Sequence, residues 1–320
     1  MEIMEFHKEL ENFLLTLQEH ICSSLEKADG SKDAGFVYES WKRKEGGGGR
    51  SALFSNGKLL EKGGVNFSAV WGKAPEFLLR EKEHSTVTLI QNNPAELEFY
   101  ATGLSLVIHP YHPFIPIIHM NIRYFETSSG EWWLGGGMDI TPHYVIPEQA
   151  RWFHLQMKKV CDSCSADFYS RFKKWADDYF YLPHRNETRG VGGIFFDRLN
   201  ESCGISQSRL INFWKELGRA FVPVYTQLIE WNKNTSWSAA HKEWQKFRSS
   251  RYVEFNLLYD KGTRFGIETG ARAESVLMSL PPETGWKNTP LPEQGTEEYA
   301  TLSWLKKDVD WINLFTEEMK

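Results

Sequence analysis

The chain has 320 residues, 41% hydrophobic and 25% charged, an ordinary globular balance with enough apolar residues for a sizeable core. Its net charge of −5 supplies no global basic field, so no nucleic-acid partner is expected. No apolar run of roughly 18 or more residues occurs, so no membrane span is expected either. Aromatic residues make up 14%, including 13 Trp and 21 Phe. They suit either an aromatic-rich core or a site for a flat conjugated ligand. Cys22, Cys161, Cys164 and Cys203 are too few for a disulfide framework in a chain of this length, which points to a reducing, cytoplasmic compartment. Cys161 and Cys164 have CxxC spacing but stand alone and read as adjacent helical turns. The opening MEIMEFHKELENF is acidic and the first arginine is Arg43, which argues against a secretory signal or an Arg-rich presequence.

In chain order, Phe6, Leu10, Phe13, Leu14, Leu17, Ile21 and Leu25 recur at helical spacing and predict an amphipathic helix. Strand-like segments follow near 36–41, 51–55, 65–71, 86–90, 97–109 and 115–126. A segment at 131–134 closes a hairpin across Thr127–Gly130. Pro147 opens a helix to about Cys164, and a second is expected near 167–181. Then come a strand around 191–197, a long helix from Ser206 to Trp231 and a short helix near 237–248. Alternation in Arg251–Tyr259 predicts a strand, with another at 273–280, and a helix is expected near 297–317. Consecutive strands with short connections favour an α+β fold with a mostly antiparallel sheet. No linker, charge block or repeat divides the chain, so residues 1–320 read as one domain.

Two of these strands carry polar residues on an otherwise apolar background. In PFIPIIHMNIRYFET, Ile117, His119, Asn121, Arg123 and Phe125 share one face, while Ile118, Met120, Ile122 and Tyr124 form a core face. In GLSLVIHP, Ser105, Val107 and His109 share a face, and pairing of the two strands would merge them into one wall. This wall reads as a buried hydrogen-bond cluster or as a pocket with a proton donor, an amide and a fixed cation. His154 lies on an apolar helical stripe with Ala150, Met157 and Cys161, where a lone histidine is usually a core residue. His184, Arg185 and Arg189 form a basic, aromatic-flanked loop. Asp139 follows Trp132, Trp133 and three glycines, a loop acid that reads equally as a turn residue or as functional.

Gly46–Gly49 precede no Lys-Ser/Thr and no helix, so no phosphate loop is read there. Nucleophile elbows, paired catalytic glutamates, HExxH and dinucleotide fingerprints are also missing. What stands out is several histidines, several arginines, one aspartate and many aromatics. Arginines grip carboxylates, an aspartate accepts N–H donors, and histidines move protons near neutrality. That set suits a ligand with several carboxylates and pyrrolic N–H groups, or a divalent-metal site.

GGVNFSAVWG (63–72), SLVIHP (105–110), HMNIRYFE (119–126), WWLGGGMDITPHY (132–144), HRNETRGVGGIFFD (184–197), RYVEFNLLYDKGTRFG (251–266) and ESVLMSLPP (274–282) resemble the oxygen-dependent coproporphyrinogen III oxidases, in the family's order and over most of the chain. The resemblance implies conversion of coproporphyrinogen III to protoporphyrinogen IX in haem biosynthesis, with O2 as co-substrate, release of two CO2 and no organic cofactor. It implies a large flat antiparallel sheet with helices on both sides, and a homodimer joined around 252–287. It assigns substrate contact to Ser105, Asn121, Ile122, Arg123, Gly270, Ala271 and Arg272, with Arg123 on a propionate. His119 becomes the proton donor and Asp139 the acid facing pyrrole N–H groups. His109, His119, His154 and His184 match the divalent-metal ligands of bacterial members. Departures occur at Ala271, Pro183 and Trp152, where the family often has glycine, lysine and histidine. A non-catalytic tetrapyrrole carrier and a histidine-rich metallohydrolase are the competing readings.

Overall fold

The computed structural model describes residues 2–74, 97–268, 273–287 and 292–315. Leu10, Leu14, Leu17, Ile21 and Leu25 are all buried, so α1 (Glu2–Asp29) lays one apolar stripe against a sheet. That sheet is a meander of β1 (Val37–Lys42), β2 (Gly47–Ser55), β3 (Leu60–Lys73), β4 (Glu98–Pro110), β5 (Ile117–Thr127) and β6 (Trp132–Thr141). Each strand pairs antiparallel with the next. Pro147 begins α2 (Pro147–Asp162) at a position where its missing N–H costs nothing. α3 (Phe168–Tyr179) leads to a small hairpin, β7 (Tyr181–Leu182) and β8 (Glu187–Thr188). β9 (Gly192–Leu199) then joins the large sheet beside β6, giving the order β1-β2-β3-β4-β5-β6-β9. The chain continues through α4 (Gln207–Asn232), α5 (Ala239–Leu258), α6 (Lys261–Glu268), α7 (Ala273–Leu277) and α8 (Glu297–Trp304).

The first face of the sheet is apolar. Leu104, Leu106, Ile118, Met120, Ile122, Leu134, Met138 and Ile140 are buried in one core with residues of α1, α2 and α4. Among the described residues, helices reach the second face at one end. There Tyr252 of α5 packs on Val107 and Ile117, Gln245 donates to the Pro110 carbonyl, and Lys62 donates to the Leu280 carbonyl. The other end, around Arg123, Phe125 and Trp133, stays half-exposed. Helices therefore lie on both sides of an antiparallel sheet, as the resemblance implies.

Several expected elements differ. Arg251–Tyr259 is not a strand: α5 starts at a Ser238–His241 capping box and runs to Leu258. Residues 248–256 are all buried, so the helix is enclosed on every side and shows no polar stripe from which a helical period could be read. The segment 273–280 forms α7 and a turn rather than a strand. The last helix stops at Trp304, and the chain turns through a left-handed Asp308, whose N–H donates to the Asp177 carboxylate. Trp132–Thr141 is one continuous strand with its three glycines inside, so Asp139 is a strand residue and not a loop acid. The strand expected at 86–90 lies outside the described residues.

Candidate active site

Strand alternation and register build the site. Ser105 pairs with Asn121 and Val107 with His119 across β4 and β5. His119, Asn121 and Arg123 of β5 face Asp139, Gly137 and Gly135 of β6. A second-face row therefore crosses the sheet as Ser51, Asn66, Ser105, Asn121 and Gly137. The Oδ1 atoms of Asn66 and Asn121 are buried without a hydrogen-bond partner, two acceptors turned toward the same face. Among the described residues nothing meets these two acceptors, so each needs a partner from elsewhere.

Asp139 organises the covered end of this face. Its Oδ1 receives a hydrogen bond from His119 Nδ1 at 2.7 Å, and its Oδ2 receives one from Arg189 Nη2. Asp139 and Arg189 side chains are each 3% exposed. The guanidinium of Arg189 sits 4.2 Å from the Phe180 ring, 4.5 Å from Tyr252 and 4.8 Å from Phe255, so a buried cation is held by one carboxylate and three ring faces. Burial alone would raise the Asp139 carboxyl, but Arg189 and His119 outweigh it and hold it below the usual carboxylate range. An anionic Asp139 fixes the proton of His119 on Nδ1. That leaves Nε2 of a quarter-exposed imidazole to exchange protons with whatever occupies the open face.

Arg123 organises the open end. Its Nη2 donates to Asp197 of β9 at 2.8 Å. A side chain on Gly135 would put its Cβ 2.5 Å from Arg123 Nε and 2.8 Å from Cζ, so glycine is what lets the guanidinium lie flat across β6. Beside it, Phe125 stacks on Trp133 at 4.3 Å and on Phe99 at 5.6 Å between ring centroids. The result is a half-open surface with an aromatic strip, a guanidinium, orphaned amide acceptors and a histidine oriented by an acid.

The sequence matches the family described as coproporphyrinogen III oxidase over residues 9–311. The chain belongs to the coproporphyrinogen III oxidase family. It is 43% identical over 303 residues to the oxygen-dependent coproporphyrinogen-III oxidase, chloroplastic, of Nicotiana tabacum, covering 92% of this chain and 75% of that one. Coproporphyrinogen-III oxidase 1, chloroplastic, of Arabidopsis thaliana is 42% identical over 310 residues, 94% of this chain and 78% of its own length. The Hordeum vulgare relative, also named an oxygen-dependent chloroplastic oxidase, is 42% identical over 316 residues, with 94% and 79% covered.

Of the residues that likeness to the coproporphyrinogen oxidases singles out, the sheet brings Ser105, Asn121, Arg123, His119 and Asp139 onto one surface. Ile122 is adjacent in sequence but its side chain points into the core. Gly270, Ala271 and Arg272 lie outside the described residues. The four histidines do not converge. His154 is fully buried, with Nδ1 on the Tyr169 hydroxyl and Nε2 on the Val191 carbonyl. His184 spends Nδ1 on the Tyr259 hydroxyl and Nε2 on Glu254. His109 uses Nε2 on the Ser279 carbonyl. Among the described residues no group of three or more His, Cys, Asp or Glu is placed to hold a metal, so this donor set does not fit a shared divalent cation.

Two residues of the site are not singled out by sequence reasoning. Arg189 stands in the sequence only as part of a basic loop, and the carboxylate it holds is the protein's own Asp139. Asp197 ends the GGIFFD segment, where alternation with Phe195 would have placed it on the second face had β9 been paired with β6. Burial pushes His109, His143 and His154 down to about 3, which favours their neutral form. Glu254 collects Arg185, His184 and Trp286. Burial opposes its charge, but these hydrogen bonds outweigh it and bring its pKa down to about 2.

Proposed function

We propose that this protein is an oxygen-dependent coproporphyrinogen III oxidase, converting two propionates of a porphyrinogen to vinyl groups in haem biosynthesis. The observation that carries the reading is the Arg189–Asp139–His119 chain opening onto a polar sheet face beside Arg123, in a member of this family. Each oxidative decarboxylation takes a propionate, O2 and one proton to a vinyl group, CO2 and H2O2, which balances atoms and charge with O2 as the only oxidant. The proton is the protein's part of that equation. His119, with Nδ1–H held by Asp139, carries it at Nε2. Asp139 acts through His119, because its side chain is 3% exposed, enclosed between His119 and Arg189. Arg123 takes a propionate carboxylate, and Asn121 and Ser105 line the sheet face beside it. Electron-rich pyrroles react with O2 directly once oriented, and orientation is worth up to ~7–11 kcal/mol.

A non-catalytic tetrapyrrole carrier would need the arginine and the aromatic strip but not a histidine oriented by an acid. Coproporphyrinogen III supplied under air should yield protoporphyrinogen IX, with one H2O2 per vinyl group, and the reaction should stop without O2. Binding without turnover in air would leave the carrier reading standing instead.

Leu257, Leu258, Ile267 and Leu277 are exposed apolar residues within 252–287, and apolar side chains left to solvent in that segment support a homodimer there. We place the protein in the cytoplasm on its four unpaired cysteines, and cell fractionation tests that placement. Among the described residues no helix is long and apolar enough to cross a membrane.

A further inference from the structure

Arg123 is not idle before a ligand arrives. Its guanidinium lies across Gly135 and donates one hydrogen bond, from Nη2 to Asp197 Oδ1 at 2.8 Å. Both side chains are about a third exposed, 39% for Arg123 and 34% for Asp197, so the pair sits at the open end of the face within reach of solvent and of a ligand. A guanidinium pairs best with a carboxylate through two parallel bonds, and Asp197 makes only one.

We propose that Asp197 is an exchangeable occupant of the Arg123 clamp, released when a substrate carboxylate binds and restored when it leaves. The proposal rests on the reading of this face as a porphyrinogen site. Asp197 then sets how tightly carboxylates are held. It competes for the same guanidinium and places a negative charge beside an incoming anion, so the clamp grips a polycarboxylate without trapping it. As decarboxylation replaces carboxylates with neutral vinyl groups, Asp197 regains the arginine and favours release. The opposite role is a fixed brace that holds Arg123 in its working rotamer, and the two roles predict opposite signs.

The test is a fluorescence titration of the full-length protein with coproporphyrin III, the air-stable porphyrin with four propionates, and with its two-propionate counterpart, protoporphyrin IX. The variants are Asp197→Asn, Arg123→Met and the double substitution, with melting temperatures recorded for each. Asp197→Asn should bind coproporphyrin III about three- to fivefold more tightly, the range expected for removing a half-exposed ionic competitor. The gain should be smaller for protoporphyrin IX and absent in the Arg123→Met background, and multiple-turnover assays should show a lower KM with a lower kcat. Unchanged or weaker binding at an unchanged melting temperature overturns the proposal, as does a gain that survives without Arg123. If Asp197→Asn lowers the melting temperature, Asp197→Ser is read in its place by the same criteria. Failure of every variant and of the wild type to bind either porphyrin sinks the functional reading itself, and this proposal with it.

Discussion

Replacing Asp139 with Asn keeps its shape but removes the charge that balances Arg189. Breaking a buried pair by removing one partner costs roughly 3–5 kcal/mol, so Asp139→Asn should lower both turnover and melting temperature. That variant alone therefore does not separate catalysis from stability. His119→Gln does, because it leaves Asp139 and Arg189 paired. Its kcat should fall about 10²- to 10⁴-fold while thermal melting stays within about 2 °C of wild type. A His119→Gln enzyme with near-normal kcat would exclude His119 as the proton carrier. Arg123→Lys keeps a charge but loses the planar fork, and kcat/KM should drop at least about tenfold. Activity within a factor of about three of wild type would remove Arg123 from carboxylate binding. At this scale the sequence is informative where alternation applies: His119, Asn121 and Arg123 can be placed on one surface from period-two spacing, and Ser105 joins them through the pairing of β4 with β5. Arg189 cannot, because its role depends on three rings that come from Phe180, Tyr252 and Phe255, brought together only by tertiary packing.

The glycines of β6 make a prediction about the strand as a unit. A Cβ on Gly135 would meet the far end of the Arg123 side chain, whereas one on Gly137 would lie 2.3 Å from the Ile194 carbonyl oxygen and 3.1 Å from the Phe195 Cα. A flexible guanidinium moves at little cost and a paired backbone does not. Gly135→Ala should therefore fold normally, displace Arg123 and raise KM about tenfold. Gly137→Ala should separate β6 from β9 and be destabilised by more than about 2 kcal/mol in denaturant melts. Equal stability of the two variants would mean that the close approach of β9 is not what requires glycine. Glycines inside a sequence usually signal a turn, which explains why Trp132–Thr141 reads as a short strand and a loop. Glycine here serves close packing across strands, a need set by the neighbours and not by the segment. The helical stretch 248–256 is hidden for a related reason: a segment buried on all sides carries no polar face, and its Arg, Glu and Asn residues are solvated by partners instead of water.

At the scale of the whole chain, three histidines are kept neutral by burial, with pKa values of about 3 against an ordinary 6.5. The unfolded chain binds their protons between those values and the folded one does not. Stability is therefore complete above about pH 6.5 and lost as pH falls toward 3, by up to about 4 kcal/mol per pH unit if all three contribute. Melting temperature should begin to decline near pH 6.5, well above the carboxylate range. A flat profile down to pH 5 would show that these imidazoles reach solvent. Leu258→Glu puts a charge beside the exposed Leu257 at the end of α5. If 252–287 joins two copies, light scattering should show a dimer for wild type and a monomer for the variant, with reduced activity. A fully active wild-type monomer at micromolar concentration rules the interface out. The meander itself is readable from consecutive strand signals and short connections. The place of β9 is not, because its pairing with β6 crosses two helices and a hairpin.

The cage around Arg189 makes the working site a late product of assembly. Its rings come from the end of α3 and from α5, about seventy residues apart in the chain, while Asp139 and His119 come from a hairpin that closes locally. The hairpin can form early, but its histidine acquires a neutralised, oriented acid only once α5 has docked over the sheet. Warming that loosens α5 would then silence the enzyme before the strands part, so activity reports the completeness of the fold more sensitively than any measure of secondary structure.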